Sequence, residues 1–252
     1  EKSYVRGGFA NYGGGVNLFS KSYNFNSRPF YIKESIFIQN IGGNGAGVCS
    51  LNNGLFIIST IFYTNVANNG AGVYFEISAE NNLLSLNLTL LNCSFINNTA
   101  NNGGAIKWLN QKPIIDNNTS FQNNKAIYGS DIAAYAIRFF LQIYEKNGTK
   151  IYDSQNTSDF FNMTEASGYQ ISKNLKFIIV DYYNQTITTL ETKVETLSIQ
   201  KNSSLNSDFQ PFLIESSSIL SIGKITFSSL KIFAIPGEIS YLTLDLSNLK
   251  YS

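Results

Sequence analysis

A spaced pattern of apolar, polar and small residues recurs through the first half of the chain. Three residues after an aromatic comes asparagine, five after it a small residue, eight after it glycine, and eleven after it a β-branched apolar residue. A weaker copy begins at Val5. A core of constant length with variable spacers predicts a repeated structural turn whose loops absorb insertions. The clear copies are Phe37–Val48, Phe62–Val73, Phe95–Ile106 and Phe121–Ile132.

This repeat is typical of strands rather than helices. The copies are short and rich in glycine, asparagine and β-branched residues, which disfavour a helix. Alternating segments such as Ser35–Ile38 and Leu88–Phe95 flank them. Stacked copies place each strand about 4.8 Å from its equivalent in the next coil. We therefore predict an all-β fold that begins with a right-handed parallel β-helix of about five coils over residues 1–133.

The asparagines at one position of the repeat are predicted to form a ladder. Their side-chain amides can hydrogen-bond from coil to coil, while the aromatic and β-branched positions stack as internal apolar columns. Glycine at a fixed position indicates a turn with positive φ or a close approach of two backbones. The predicted ladder consists of Asn40, Asn65, Asn98 and Asn124.

The segment FINNTANNGGAI at residues 95–106 resembles a known repeat. It is similar to the FxxN and GGAI repeats of the chlamydial polymorphic outer-membrane proteins, which form parallel β-helices. Similar repeats occur in very large extracellular proteins of ciliates, and a composition rich in Asn, Ile and Lys with few arginines is typical of that group. The resemblance covers about residues 5–132, although the other copies read GGGV, GAGV or GSDI instead of GGAI. It implies a pectin-lyase-like β-helix on an extracellular or cell-surface protein.

A change of composition near residues 132–135 predicts a second domain over residues 134–252. Fifteen of the nineteen glycines lie at or before Gly129. Short alternating segments with turn signals between them then favour a β-sandwich. FIIVDYYN at 177–184 and GKITF at 223–227 resemble Ig-like modules of bacterial and protist surface proteins, and residues 145–170 are predicted to be a long polar loop. The predicted strands are Ile137–Tyr144, Leu175–Val180, Thr186–Leu190, Val194–Ile199, Gly223–Phe227, Leu230–Phe233 and Tyr241–Leu246.

Composition and charge exclude several classes of function. The 252 residues carry a formal net charge of +1, which gives no electrostatic attraction to nucleic acid or to an anionic membrane. Without histidine, the chain lacks Ser-His-Asp and Cys-His catalysis and imidazole ligands for zinc. The chain has no run of eighteen apolar residues, so no membrane span is predicted. No cofactor is predicted either. Because no signal peptide is recognisable, we expect a mature product or a piece of a longer protein.

The alternative to a structural role is a carbohydrate-binding or polysaccharide-cleaving β-helix. Pectate lyases and polygalacturonases need carboxylates that converge from adjacent coils, either to bind calcium or to act as acid and base. The acidic residues of the first domain instead occupy different positions of the repeat, so we predict solvated surface charges and neither a catalytic nor a metal site. They are Glu1, Glu34, Glu76, Glu80, Asp116 and Asp131.

Two cysteines and the single tryptophan are candidate special residues. Cys93 stands two residues before Phe95 and is predicted to point inward, whereas Cys49 is predicted to point outward on another part of the coil. A disulfide between them is therefore not expected, and an exposed Cys49 could meet an external partner. Trp108 is expected to pack in the core, with a binding contact as the alternative.

Asn-x-Ser/Thr sequences supply candidate sites of N-glycosylation. Three of them share the polar segment near residues 145–170 and are the best candidates. Asn97 abuts the predicted ladder and is a poor one. The predicted sites are Asn87, Asn92, Asn118, Asn147, Asn156, Asn162, Asn184 and Asn202.

Together these features predict a non-catalytic structural component of an extracellular or cell-surface filament, coat or adhesin, and a fragment of a larger glycoprotein. The first coil begins at Val5 without a polar cap, and an uncapped β-helix exposes unpaired N–H and C=O groups. We therefore expect further coils, or a subunit docked end to end, at the N-terminal coil. The second domain is expected to cover the last coil near Ile132. The predicted partners are copies of this protein or other subunits of the assembly, together with N-linked glycans.

Overall fold

Every regular element that the structure describes is a β-strand. The structure is a computed structural model that describes residues 2–20, 29–78, 86–155, 163–189, 192–201, 210–214, 217–235 and 239–245. In this part of the chain no helix is long and apolar enough to cross a membrane. Contacts divide the chain into two units, the first with Glu1–Tyr135 and Asp181–Gln185, the second with Ala136–Val180 and Thr186–Ser252.

The first unit is a parallel β-solenoid with four sides, because each complete turn contributes one strand to each of four sheets. The first turn contains β1 (Tyr4–Arg6), β2 (Phe9–Tyr12), β3 (Val16–Phe19) and β4 (Phe30–Lys33). The second contains β5 (Ile36–Ile38), β6 (Ile41–Asn44), β7 (Val48–Leu51) and β8 (Leu55–Ile58). The third contains β9 (Ile61–Tyr63), β10 (Val66–Asn69), β11 (Val73–Glu76) and β12 (Leu88–Leu91). The fourth contains β13 (Ser94–Ile96), β14 (Thr99–Asn102), β15 (Ile106–Leu109) and β16 (Ile114–Ile115).

The predicted parallel β-helix is confirmed as a β-solenoid, but it has about four turns rather than five. The last copy of the repeat supplies only β17 (Ser120–Gln122), β18 (Lys125–Tyr128) and β19 (Ile132–Ala133). The chain then passes into the second unit at Ala136. The fourth sheet accordingly has four strands where the other three have five.

The register of the sheets superposes the aromatic positions of the repeat. Phe37 pairs with Phe62, Phe62 with Phe95, and Phe95 with Phe121. Their rings stack inside the solenoid with centroids 5.1, 4.7 and 5.3 Å apart and planes within 12° of parallel. A slip of one residue would turn this apolar column to the outside, so the stack holds successive turns in register.

The four repeat asparagines lie at equivalent buried positions and are joined by hydrogen bonds. The Oδ1 atom of Asn65 accepts from both the backbone N–H and the Nδ2 of Asn40, at 3.0 Å each. Its Nδ2 donates to the Phe37 carbonyl and to Asn98 Oδ1, again at 3.0 Å. Asn98 repeats these contacts with Asn124. Because each amide has partners on both sides, burial leaves no unsatisfied polar group in the column.

Glycine is required five residues after the ladder position. In all five copies of the repeat this glycine has a φ between +57° and +66°, a region that disfavours other residues. A Cβ at Gly70 would also lie 2.2 Å from the Val73 carbonyl oxygen. The glycines are Gly13, Gly45, Gly70, Gly103 and Gly129.

The second unit contains one sheet of seven strands and one of two. The larger has the order β21-β20-β22-β26-β25-β23-β28, and β24 pairs with β27. The Ig-like sandwich stays a prediction. The strands are β20 (Ala136–Glu145), β21 (Lys150–Asp153), β22 (Lys173–Asp181), β23 (Thr192–Lys201), β24 (Phe212–Ile214), β25 (Ser217–Ser221), β26 (Lys224–Phe227), β27 (Lys231–Phe233) and β28 (Ser240–Asp245).

Two details of the second unit differ from the prediction. The predicted loop at 145–170 begins with a hairpin, because β21 returns alongside β20 after a turn at Asn147 and Gly148. The predicted strand at 186–190 is absent over its described residues. Thr186 forms only an isolated bridge with Val180 as the chain leaves a tight turn.

Replacement of Asn98 by leucine is expected to destabilise the solenoid. The change removes the acceptor of the Asn65 backbone N–H and one partner each of the Asn65 side chain, the Asn124 side chain and the Phe62 carbonyl. The expected cost is about 1–3 kcal/mol in the free energy of unfolding. Denaturant titration followed by the fluorescence of Trp108, the chain's single tryptophan, measures this unit. The control Asn101→Leu alters an exposed side chain and should change stability by less than about 0.5 kcal/mol. Equal stability of the two variants would contradict the ladder.

Candidate functional site

Among the described residues, the first turn supplies the outermost strand at one end of all four sheets. β1, β2, β3 and β4 are each the terminal strand of their sheet at this end. Within the described part of the chain, no strand pairs with their outer edges. The unpaired N–H and C=O groups of such edges are hydrogen-bond partners for another strand. This end is therefore a candidate interaction surface.

Large apolar side chains surround the open end on its outer faces. Phe9 is 81% exposed, Tyr4 61% and Tyr31 57%. Clustered exposed aromatic groups are typical of surfaces that bind another protein. We call the set the first-turn rim, and it consists of Tyr4, Phe9, Tyr12, Phe19, Phe30 and Tyr31.

This apolar character declines along the solenoid. On the outer face of the sheet that contains β2, five residues lie in register from the first turn to the last. The first three are exposed and apolar, whereas the last two are polar. The decline concerns this one position, because Ile127 of β18, in the same sheet, is 67% exposed. The five residues are Phe9, Ile41, Val66, Thr99 and Lys125.

The asparagine ladder and the phenylalanine stack do not continue into the first turn. Gly8 stands at the ladder position and Val5 at the aromatic position. The Gly8 N–H donates to Asn40 Oδ1 at 3.0 Å, and the Val5 carbonyl accepts from Asn40 Nδ2 at 3.2 Å. Because Gly8 has no side-chain amide, it offers no acceptor to a preceding turn of the same register.

At the far end, Asp131 takes the place of the next ladder asparagine. Asn124 Nδ2 donates to Asp131 Oδ1 at 3.0 Å. The equivalent residue of the third turn is Gly72, where an added Cβ would lie 2.6 Å from the ring of Phe95 in the following turn. After the last copy of the repeat, no further ring of the stack follows among the described residues, so the larger side chain fits. Asp131, predicted to be a solvated surface charge, instead ends the ladder.

A five-residue segment that begins at Asp181 groups with the first unit and closes part of this end. The buried Asp181 carboxylate accepts from the Tyr128 hydroxyl at 2.6 Å and from the Ala134 N–H at 3.1 Å. The Gln185 side chain donates to the Ile132 carbonyl at 3.0 Å. Backbone groups at the end of β19 are therefore already occupied.

Lys107 is buried in the same cluster. Its Nζ donates to the Ala134 carbonyl at 2.6 Å and lies 5.2 Å from the centre of the Tyr128 ring. Burial lowers the pKa of Lys107 to about 8, an effect that the nearby Asp181 carboxylate partly offsets. Burial, together with Asp181, raises the pKa of Tyr128. The cluster holds polar groups inside the unit and stabilises its last turn.

Neither this cluster nor a second ladder of asparagines was predicted from the sequence. Asn69 Nδ2 donates to Asn44 Oδ1 at 2.8 Å, and Asn102 Nδ2 donates to Asn69 Oδ1 at 2.7 Å. All three stand seven residues after a stacked phenylalanine. In the last copy Tyr128 stands at this position, and this departure from the repeat was the available signal for the cluster.

The described acidic side chains do not converge on one site. Within the described ranges, no group of three or more His, Cys, Asp or Glu could hold a metal ion. Glu34 lies 3.5 Å from Lys2, and Glu76 accepts from a tyrosine hydroxyl at 2.7 Å. Asp116 accepts from the Asn92 N–H. Glu1 and Glu80 lie outside the described residues.

Both cysteines are free thiols, and both are buried. Cys93 Sγ lies 3.3 Å from the Ile57 carbonyl oxygen inside the solenoid. The prediction of an exposed Cys49 is wrong. Although it lies on another part of the turn, Cys49 packs against Tyr74 and Leu109 and has no exposed surface. Burial raises the pKa of Cys49 to about 12, which makes the thiol unreactive.

Trp108 lies in the core of the first unit and is only 1% exposed. Its ring meets Tyr135 edge to face, with centroids 5.6 Å apart. Tyr182 contacts it in a similar geometry at 5.7 Å. These contacts are packing contacts of the unit that contains the last turn.

Five of the predicted glycosylation sites lie among the described residues. Asn92, Asn118, Asn147 and Asn184 are exposed. Asn87 is half-buried, and its Oδ1 accepts from the Gln111 side chain at 2.7 Å. The others, Asn156, Asn162 and Asn202, lie outside the described residues.

Comparison with known proteins adds no assignment. No protein-family model, curated protein or solved structure matches the chain.

Asp131→Ala is expected to lower the free energy of unfolding of the solenoid by about 1–2 kcal/mol, because Asn124 Nδ2 loses one of its two acceptors and keeps only the Phe95 carbonyl. Asp131→Asn keeps a side-chain oxygen at the same place and should remain close to the wild type. Denaturant titration monitored at Trp108 measures both variants. If the alanine and asparagine variants have the same stability, Asp131 does not end the ladder.

Lys107 is expected to make stability depend on pH between about 8 and 10.5. In this range the folded protein has lost the Lys107 proton while the unfolded chain, with the usual pKa of 10.5, retains it. The unfolded state then binds more protons, so the free energy of unfolding rises with pH. Between pH 7 and pH 10, the free energy of unfolding of the wild type should rise by on the order of 2 kcal/mol relative to that of Lys107→Met.

The control for Lys107 is Lys125→Met, which removes an exposed amine from strand β18 of a different sheet. Its stability should follow that of the wild type across the same range. A constant difference between the wild type and Lys107→Met would contradict a depressed Lys107 pKa.

Proposed function

We propose that the chain is a non-catalytic structural component of an extracellular or cell-surface assembly, such as a filament, coat or adhesin. The observation that carries the proposal is the first-turn rim of exposed aromatic side chains. A surface of this kind favours association with another β-structure over the binding of a small substrate. The proposal includes an Ig-like second domain and a relationship to the polymorphic outer-membrane type of β-helix.

The arrangement of charges supports a non-catalytic role. Hydrolysis or elimination on a polysaccharide needs carboxylates that meet at one place, whereas the described carboxylates are engaged separately, as at Glu76 and Asp116. The two thiols and the amine of Lys107 are buried and are not accessible to a substrate. The outer surface of the solenoid therefore serves contacts rather than chemistry.

A measurement of self-association through the first-turn rim tests this function. Sedimentation velocity over a range of protein concentrations should show the wild type associating. The variant Tyr4→Ser/Phe9→Ser should raise the dissociation constant at least tenfold, since it removes two exposed aromatic anchors. Ile127→Ser is the control, because Ile127 is 67% exposed but lies on the last turn. A wild type that remains monomeric, or equal effects of the two changes, would contradict the proposed function.

N-linked sugar is expected on the polar segment of the second unit when the chain is secreted from a eukaryotic cell. Asn147 lies at the exposed tip of the β20–β21 hairpin, and Asn156 and Asn162 follow within the same sequence segment. Asn87 should be unmodified because Gln111 holds its side chain. Peptide mass spectrometry measures occupancy at each site. Absence of sugar from all three asparagines of the segment would contradict this part of the proposal.

A further inference from the structure

We propose that Asn147 is the site at which this protein deamidates spontaneously, and that the fold protects the other Asn–Gly pairs of the chain from the same reaction. This covalent change lies beyond the structural role proposed above. Asparagine followed by glycine is the sequence in which the reaction is easiest, because glycine has no Cβ to hinder attack by its backbone nitrogen. The chain contains five such pairs, which begin at Asn44, Asn53, Asn69, Asn102 and Asn147.

The reaction needs only water and the residues of the turn. The backbone nitrogen of Gly148 forms a bond to Cγ of Asn147, and the bond from Cγ to Nδ2 breaks. The proton of the attacking nitrogen passes to the departing amide nitrogen, which leaves as ammonia. The cyclic imide that results then takes up one water molecule. Opening at one of its carbonyls gives aspartate, and opening at the other gives isoaspartate, in which the backbone passes through the side-chain carbon.

The hairpin brings the reacting groups of Asn147 together and leaves them accessible. Asn147 is exposed, and its Oδ1 accepts from the Thr149 N–H at 2.9 Å. This contact folds the side chain back toward Gly148, and it stabilises the negative charge that develops on Oδ1 during attack. The Gly148 N–H donates to the Glu145 carbonyl at 2.9 Å within the same turn. Opening of the exposed hairpin tip alone therefore releases the attacking nitrogen.

Space around the attacking nitrogen also distinguishes this pair. Apart from its chain neighbours, no atom lies within 4 Å of the position that a Cβ would occupy at Gly148. At Gly45, Gly70 and Gly103 that position clashes with a backbone carbonyl of the same turn. The hairpin tip thus has room for the rearrangement, whereas the corner of the solenoid does not.

In the second ladder the reacting groups are held by neighbouring turns of the solenoid. The amides of Asn44, Asn69 and Asn102 are hydrogen-bonded to one another at 2.8 and 2.7 Å. The N–H of each following glycine donates to a carbonyl of the next turn, at 2.9, 2.8 and 3.0 Å. Attack would require successive turns to separate, which is a global opening rather than a local one. These three pairs should therefore react only through unfolding of the unit.

Asn53 is protected by burial. It is only 6% exposed, and its Nδ2 donates to the Leu51 carbonyl at 2.9 Å. Its backbone carbonyl accepts from the buried Ser50 hydroxyl at 3.3 Å. Rotation of the side chain toward the Gly54 nitrogen would break a hydrogen bond in packed surroundings, which makes the reaction unfavourable in the folded state.

The amide of Asn147 is also a predicted glycan acceptor, and the two fates exclude each other. Asn147, Gly148 and Thr149 form an Asn-x-Thr sequence. A glycan would occupy Nδ2, which is the atom that has to leave, whereas deamidation removes the acceptor. Each converted molecule also gains one carboxylate, which cancels the formal net charge of +1 and makes the molecule separable by ion exchange.

The experiment follows all five pairs in one sample of the full chain, produced without glycosylation. The folded protein is incubated at mildly alkaline pH in water enriched in oxygen-18, and peptide mass spectrometry measures uptake of the isotope at each asparagine. We expect Asn147 to convert to isoaspartate as well as aspartate, about tenfold or more faster than any other pair. In urea the five pairs should convert at similar rates, because the fold and not the local sequence sets the difference.

Two controls accompany this measurement. Asn118 is exposed but precedes Thr119, and it should stay unmodified. Gly148→Ala keeps the glycosylation sequence and adds a Cβ beside the attacking nitrogen, so it should slow conversion at position 147 several-fold.

Three results would overturn the proposal: conversion of another pair in the folded protein as fast as that of Asn147, no faster conversion in the wild type than in Gly148→Ala, or aspartate as the sole product. None of them would change the expected self-association, so the proposed function stands or falls by its own measurement.

Discussion

A buried amide is stable only when each of its donors and acceptors has a partner, and this constraint governs the solenoid. Three of the four ladder asparagines satisfy it by bonding to the equivalent asparagine of the next turn, and the last, Asn124, bonds to Asp131. That solution works only if successive turns keep one register, and the phenylalanine stack beside the ladder holds that register. The glycine five residues later then supplies the turn that returns the chain to the next side. Ladder, stack and turn therefore depend on one another, and the repeat of the sequence follows from this dependence.

The same constraint explains why the ends of the solenoid differ from its interior. A ladder has to stop, and each end stops it in a different way. At the open end Gly8 has no amide that would need a partner. At the far end Asp131 accepts the last amide hydrogen, and Tyr128 leaves the second ladder to bind Asp181. Departures from the repeat thus mark the surfaces where the described unit ends, and the most exposed aromatic groups of the unit lie on its first turn.

The parts of the fold that repeat could be predicted from the sequence, and the parts that occur once could not. The repeat predicts that Asn65 lies in the ladder and Phe62 in the aromatic stack, because the same residue types recur at these positions in every clear copy. Tyr128 and Asp181 are 53 residues apart and meet only once, so no repeating pattern predicts their contact. Cys49 was predicted to be exposed because its strand position is on the outer face, but neighbouring side chains cover that face. The short run near Thr186 alternates like a strand, yet a tight turn leaves it only one bridge.

The backbone amides of the ladder offer the most direct measurement of the central claim, which is that the asparagine column holds the solenoid together. The N–H groups of Asn40, Asn65 and Asn98 donate to side-chain oxygens of the next turn rather than to a strand. Native-state hydrogen exchange should find these amides as protected as the Phe62 amide at the centre of its sheet, with exchange only through global unfolding of the unit. Exchange of the ladder amides at the rate of exposed corner residues, while the sheets stay protected, would contradict the account.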